Sequence, residues 1–115
     1  MGTDRLAKYV AQEHRFLEKL HPFRIAPSVK EGFWHENSYV LAIQLCSQRL
    51  SEFAHQELAL DTIKKVFCVI ARQLQTIHSL GIIHADVKTD NYMLARRNDP
   101  ESILTIDFSS AIQLP

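Results

Sequence analysis

The stretch 61–79 does most to limit what this chain can fold into. It contains no glycine and no proline, and Ile63, Phe67, Ile70, Leu74 and Ile77 recur in it every three or four residues. That spacing predicts an amphipathic helix of about five turns with one apolar stripe. Asp61 stands where a helix N-cap belongs, and Gly81 follows as a C-terminal stop. A helix of this kind has to lay its stripe on another layer, so the rest of the chain is read for what could supply one.

Residues 3–20 read as a second helix. Thr3 can cap it, and Leu6, Val10, Leu17 and Leu20 fall on one stripe. His21-Pro22 ends it. Residues 27–34 and 38–45 read as strands around a turn at Glu36-Asn37, and 48–57 reads as a short helix. After Gly81 comes a short extended run, then a polar loop over 84–91. Residues 92–95 and 103–106 form a predicted hairpin around the polar turn 96–101. The elements do not alternate strand and helix regularly, so the expected class is α+β.

Composition narrows the function. A chain of 115 residues suits one small domain or a piece of a larger one. Thirteen Lys and Arg balance thirteen Asp and Glu. No excess of cations is therefore available to release counterions from a nucleic acid or to form a polybasic membrane patch. The longest apolar run, 66–71, has six residues, where a spanning helix needs about 20. Asp4, Arg5 and Lys8 occupy the place of a signal peptide's apolar stretch, so an intracellular protein, cytoplasmic or nuclear, is expected. Cys46 and Cys68 are both expected as buried, reduced thiols. The six histidines show no zinc spacing. Apart from His84, which is expected to pack and anchor backbone, they are expected on the surface.

The chemistry concentrates in the loop His84-Ala85-Asp86-Val87-Lys88-Thr89-Asp90-Asn91 and in Asp107-Phe108-Ser109. The hairpin after the loop returns the chain near its start, so Asp107 can meet Asn91. A carboxylate and an amide oxygen form a hard-oxygen set suited to Mg²⁺. Asp86 is left to accept a proton, and Lys88 supplies a point charge for phosphate oxygens. These are parts for phosphoryl transfer.

The loop resembles the catalytic loop of eukaryotic protein kinases, H-R-D-L-K-x-x-N, and Asp107-Phe108-Ser109 resembles their D-F-G. Residues 77–84 (IHSLGIIH) look like the end of the helix that precedes that loop, and 39–46 (YVLAIQLC) like the strand and hinge that join the two kinase lobes. Residues 13–22 (EHRFLEKLHP) look like the family's αC helix. The resemblance covers nearly the whole chain. It implies a partial, bilobal protein-kinase-like fold: an N-lobe remnant over 1–43, a hinge over 44–47 and the start of a C-lobe over 48–115.

The same resemblance implies roles. Asp86 would be the catalytic base, and Lys88 would steady the transferring phosphate. Asn91 and Asp107 would hold Mg²⁺. The backbone at Gln44 and Cys46 would bind the adenine of ATP, with Ile43 as gatekeeper and Met93 as the pocket floor. Glu13 would be the αC glutamate that pairs with a strand lysine, and Leu17, His84 and Phe108 would stack as a hydrophobic spine. Lys88 resembles the serine/threonine branch, whose substrate is a protein hydroxyl.

The chain also departs from the pattern. Its three glycines, Gly2, Gly32 and Gly81, cannot form G-x-G-x-x-G. No A-x-K strand precedes the first helix, and Lys8, Lys19 and Lys30 do not fit that role. The activation segment that follows D-F-G is not found. These features lead to the expectation of a fragment that is inactive or very weak by itself. Ala85 replaces the loop arginine, which suggests that activation-loop phosphorylation has little hold on Asp86. Ser109 replaces the D-F-G glycine and narrows the backbone choices beside Asp107. Two other readings stay open: a non-catalytic pseudokinase or partner-binding module, and a small-molecule kinase, against which Lys88 speaks.

Overall fold

The structure is a computed structural model that describes residues 5–115. Helix α1 (Arg5–Leu20) contains no glycine or proline and buries Ala7, Phe16, Leu17 and Leu20. Pro22 cannot continue it, and the chain leaves through one 3₁₀ turn, His21–Phe23, that ends on Arg24 at φ 55°. Strand β1 (Val29–His35) then pairs antiparallel with β2 (Ser38–Ile43), from Val29 opposite Ile43 to His35 opposite Ser38. This hairpin packs on α1. Gly32 permits the close approach: a Cβ there would lie 2.5 Å from the Nδ1 atom of His14 and 2.9 Å from the Tyr39 hydroxyl.

Strand β3 (Gln48–Arg49) leads into the short helix α2 (Leu50–Ala54) and then α3 (Leu60–Ser79). Gly81, at φ 74°, turns the chain into β4 (Ile82–Ile83). Strands β5 (Tyr92–Leu94) and β6 (Ile103–Thr105) form a hairpin, and β3 pairs with β5 on its other side. Strand β7 (Ile112–Gln113) returns to pair with β4.

Two apolar clusters form the core. One joins Phe16, Leu17 and Leu20 of α1 to Ile77, Ile82 and Phe108. The other joins Leu50 and Phe53 of α2 to Val69, Tyr92, Leu94 and Ile103. Helix α3 enters both, through Ile77 and Val69, and fixes one against the other. No helix among the described residues is long and apolar enough to cross a membrane.

The α+β class holds, with several local corrections. Thr3 lies outside the described residues. Leu6 is 70% exposed. The buried line of α3 runs through Val69, Gln73 and Ile77, while Ile63 and Phe67 are exposed. Gln73 explains the rotation: its Nε2 donates to the Ile103 carbonyl (2.6 Å) and its Oε1 accepts from the Thr105 hydroxyl (2.7 Å). A polar residue so satisfied can be buried. Helix α3 begins at Leu60 with Ala59 at its N-cap, so Asp61 sits in the first turn and not at the cap. The helix expected over 48–57 shrinks to α2, because Gln48 joins the sheet and exchanges two hydrogen bonds with Asn98.

Both cysteines are free, but Cys68 is exposed on α3 and Cys46 only half-buried. His14 is half-buried too. It accepts from the Tyr39 hydroxyl (2.5 Å) and donates to Glu18 (2.9 Å).

Tyr92 is 2% exposed, and its hydroxyl finds no hydrogen-bond partner among the described residues. A buried unpaired hydroxyl costs about 1–3 kcal/mol. Tyr92→Phe is therefore expected to raise the unfolding free energy by about 1 kcal/mol, read as a later urea midpoint at unchanged slope.

Candidate active site

The loop that follows β4 is organised by His84. Its ring is buried and edge-on to Phe108, with centroids 4.9 Å apart. Nε2 bonds the Ile106 carbonyl (2.8 Å), and Nδ1 accepts from the Asp86 backbone N–H (3.2 Å). The Asp86 N–H can only donate, so this network assigns the ring proton to Nε2. Both ring nitrogens are thus occupied by backbone. Ala85, between His84 and Asp86, sits at φ 70°. That left-handed conformation costs a residue with a Cβ roughly 1–2 kcal/mol, and it turns Asp86 away from the line of β4.

Asn91 closes the loop from the other end. A 3₁₀ turn, Thr89–Asn91, buries its side chain. Its Nδ2 donates to the Asp86 carbonyl (2.6 Å) and to Asp86 Oδ2 (3.0 Å). The ammonium of Lys88 lies 3.7 Å from the same Oδ2, both side chains being well exposed. Asn91 also accepts, through its backbone carbonyl, the N–H of Ile106 (2.9 Å). That bond sets Asp107 one residue away from the Asn91 backbone.

Asp107 has φ 59°. Its Oδ1 accepts from the Ser109 N–H (3.2 Å) and hydroxyl (2.5 Å). Its Oδ2, and Oδ1 of Asn91, take no donor among the described residues. Two hard oxygens of that kind suit a cation that brings its own waters and phosphate oxygens. No three His, Cys, Asp or Glu side chains gather into a metal cluster among the described residues.

Glu13 reaches the same region from α1. Its Oε1 accepts the Phe108 backbone N–H (3.3 Å). Burial pushes its carboxyl above the usual glutamate range; the Phe108 bond opposes this, and the charge of Asp107 adds to it. Among the described residues no lysine or arginine pairs with it. Leu17, one turn on, is buried in the same cluster as Phe108.

Of the residues expected around an adenine, Ile43, Gln44 and Cys46 follow one another between β2 and β3, and Met93 lies in β5. Ile43 ends β2 and is partly exposed. The Gln44 N–H donates to the Ser28 carbonyl (2.8 Å), and its side chain accepts the Ser28 N–H (3.2 Å). Cys46 is half-buried, and burial pushes its thiol up. Met93, in β5, pairs with Arg49 and Leu104. A cleft of about 630 Å³ elsewhere on the molecule shares only Gln44 with this set.

Sequence reasoning passed over three contacts. Asn91 orients Asp86, Ser109 anchors Asp107, and Gln12 Nε2 donates to the Ala111 carbonyl (2.8 Å). The Asp-x-Ser spacing of 107–109 is a readable signal for an Asx turn; nothing local announces Gln12.

Because His84 bridges two backbone groups, His84→Phe keeps the ring packing but leaves the Ile106 carbonyl and Asp86 N–H unpaired. The expected cost is about 1–3 kcal/mol, measured by urea unfolding.

Comparison with known proteins agrees with this geometry. The chain matches the protein kinase domain model over residues 2–115. It is 37% identical over 86 residues to homeodomain-interacting protein kinase 2 of Mesocricetus auratus, covering 70% of this chain and 7% of that protein. It is 32% identical over 112 residues to homeodomain-interacting protein kinase 1 of Mus musculus, covering 93% of this chain and 8% of that protein. A probable serine/threonine-protein kinase 2 of Plasmodium falciparum is 31% identical over 104 residues, 85% of this chain and 18% of the relative. The chain thus spans less than a fifth of each of these relatives. With nearly every residue inside the family match, and with the loop 84–91 and Asp107 held together by Asn91, the chain belongs to the protein kinase family.

Proposed function

We propose that this chain is part of a serine/threonine-type protein kinase whose parent protein transfers the γ-phosphoryl group of ATP to a protein hydroxyl. The observation that carries this reading is the placement of Asn91. Its amide nitrogen steers the Asp86 carboxylate, while its amide oxygen stays free beside the segment that delivers Asp107. In this reading residues 1–43 belong to the N-lobe, 44–47 to the hinge and 48–115 to the C-lobe.

Asp86 orients the substrate hydroxyl and takes its proton as the oxygen attacks the γ-phosphorus and the bond to the β-phosphate oxygen breaks. Lys88, close to Asp86 Oδ2, lies within reach of the transferring phosphate. The free oxygens of Asn91 and Asp107 would hold Mg²⁺, which when bound neutralises phosphate charge. The backbone of Gln44 and Cys46 meets the adenine, beside Ile43 and over Met93. Glu13, Leu17, His84 and Phe108 hold α1 against the segment that carries Asp107. Catalysis of this type rests mostly on positioning.

One observation favours a second reading, a kinase-like binding module without transfer. Glu13 has no cationic partner among the described residues, and the partner it does have is the Phe108 N–H.

Two substitutions separate the readings. Asp86→Asn is expected to lower transfer to a generic protein substrate by about 10²–10⁴-fold while leaving Mg-ATP affinity within about twofold. Asp107→Asn is expected to abolish the magnesium dependence of ATP binding, followed by titration of a fluorescent ATP analogue with and without Mg²⁺. Unreduced transfer by the Asp86 variant would overturn the assignment. Mg-dependent nucleotide binding with no transfer by the unaltered parent protein would favour the second reading.

A further inference from the structure

The cleft of about 630 Å³ lies between the α1–β1 connection, helix α3 and the β5–β6 hairpin. Its walls carry Arg24, Arg72 and Arg96 against one acid, Glu101. Arg96 is already held by Asp99 (2.7 Å), and Glu101 by Lys65 (3.4 Å). Arg24 and Arg72 have no side-chain partner among the described residues. In a chain whose formal net charge is zero, two arginines without a side-chain partner among the described residues therefore line one cleft.

Arg24 carries a second mark. It occupies φ 55° at the end of the 3₁₀ turn, where glycine would be unstrained. An arginine there costs roughly 1–2 kcal/mol. Strain that a glycine would relieve, at a residue whose charge is free, points to use of the side chain.

The chemistry of the occupant follows. A guanidinium fork matches a phosphate or carboxylate with two parallel N–H···O bonds, and two forks match a dianion. Two free charges are too few for a nucleic-acid track or a lipid surface, which use several more. The cleft also presents Ile25, half-buried apolar surface against which a flanking residue can lie. We infer that this cleft binds a protein segment bearing a phosphorylated serine or threonine, with Arg24 and Arg72 gripping the phosphoryl group. The inference does not depend on the transfer reaction proposed above, since none of its cationic residues takes part in that site.

The test uses the unaltered chain and a short dye-labelled peptide with one phosphoserine among alanines and glycines, followed by fluorescence anisotropy. Arg24→Gly relieves the strained φ, and Arg72→Gln keeps a good helix former, so both variants are expected to fold. Each should weaken binding about tenfold or more, while Arg97→Gln, at an arginine outside the cleft that pairs with Glu52, should leave it unchanged within about twofold. Inorganic phosphate should compete, and the unphosphorylated peptide should not bind. Equal loss in the Arg97 variant would show bulk charge at work and overturn the site. Equal binding of the same peptide with glutamate at the central position would overturn the phosphoryl assignment. Binding unchanged in the double variant Arg24→Gly/Arg72→Gln would overturn the inference altogether.

Discussion

Phe108 has no solvent-exposed surface, and separate stretches of chain must be in register before it can be buried. Its ring stacks on Phe16 of α1 at 6.4 Å and meets the edge of His84 at 4.9 Å. Its backbone N–H is taken by Glu13. Burial of a phenylalanine is worth roughly 1.5–3 kcal/mol, and this one uses it to fasten the first helix, the loop after β4 and the strand end carrying Asp107 into one unit. The two carboxylates and the amide of the site inherit their separation from that packing. Asp86 follows His84 by two residues, and Asp107 precedes Phe108 by one.

The electrostatics of this unit are not balanced within it. The charge of Asp107 adds to burial in disfavouring the charged form of Glu13. A single backbone N–H is a weak counterweight to a half-buried carboxylate. Asp107 is better provided for, because both donors of Ser109 fall on its Oδ1. The serine that departs from the family's glycine thus does work of its own. It fixes one oxygen of Asp107 and leaves the other without a donor among the described residues.

Much of this was legible before any coordinates. The loop 84–91 carried the family resemblance in residue types at fixed spacing, and the β5–β6 hairpin showed as a polar turn between two apolar runs. The two main helices were legible because their periodicity is local. What stayed hidden depends on partners far along the chain. Gln73 is buried because Ile103 and Thr105 receive it, 30 and 32 positions away. The Glu13–Phe108 bond spans 95 positions, and the Gln12–Ala111 bond 99. Strands β3, β4 and β7 have two residues each, too short to show alternation. The expected burial of Cys68 failed for a related reason: an apolar neighbourhood in sequence places a thiol on a helix but does not say which face is covered.

The pairing of β4 with β7 has a mechanical consequence. Residues 106–111 run between β6 and β7, and both feet of that arch are clamped: Ile106 N–H to Asn91 at one end, Leu114 N–H to Gly81 (2.7 Å) just past the other. Gln12 grips the arch itself at Ala111. So short a tether leaves no slack for Asp107 to swing away with its neighbours. Displacing Asp107 therefore loosens Phe108, its fully buried neighbour. The arch is clamped at both feet and tied to α1 through Gln12 and Glu13.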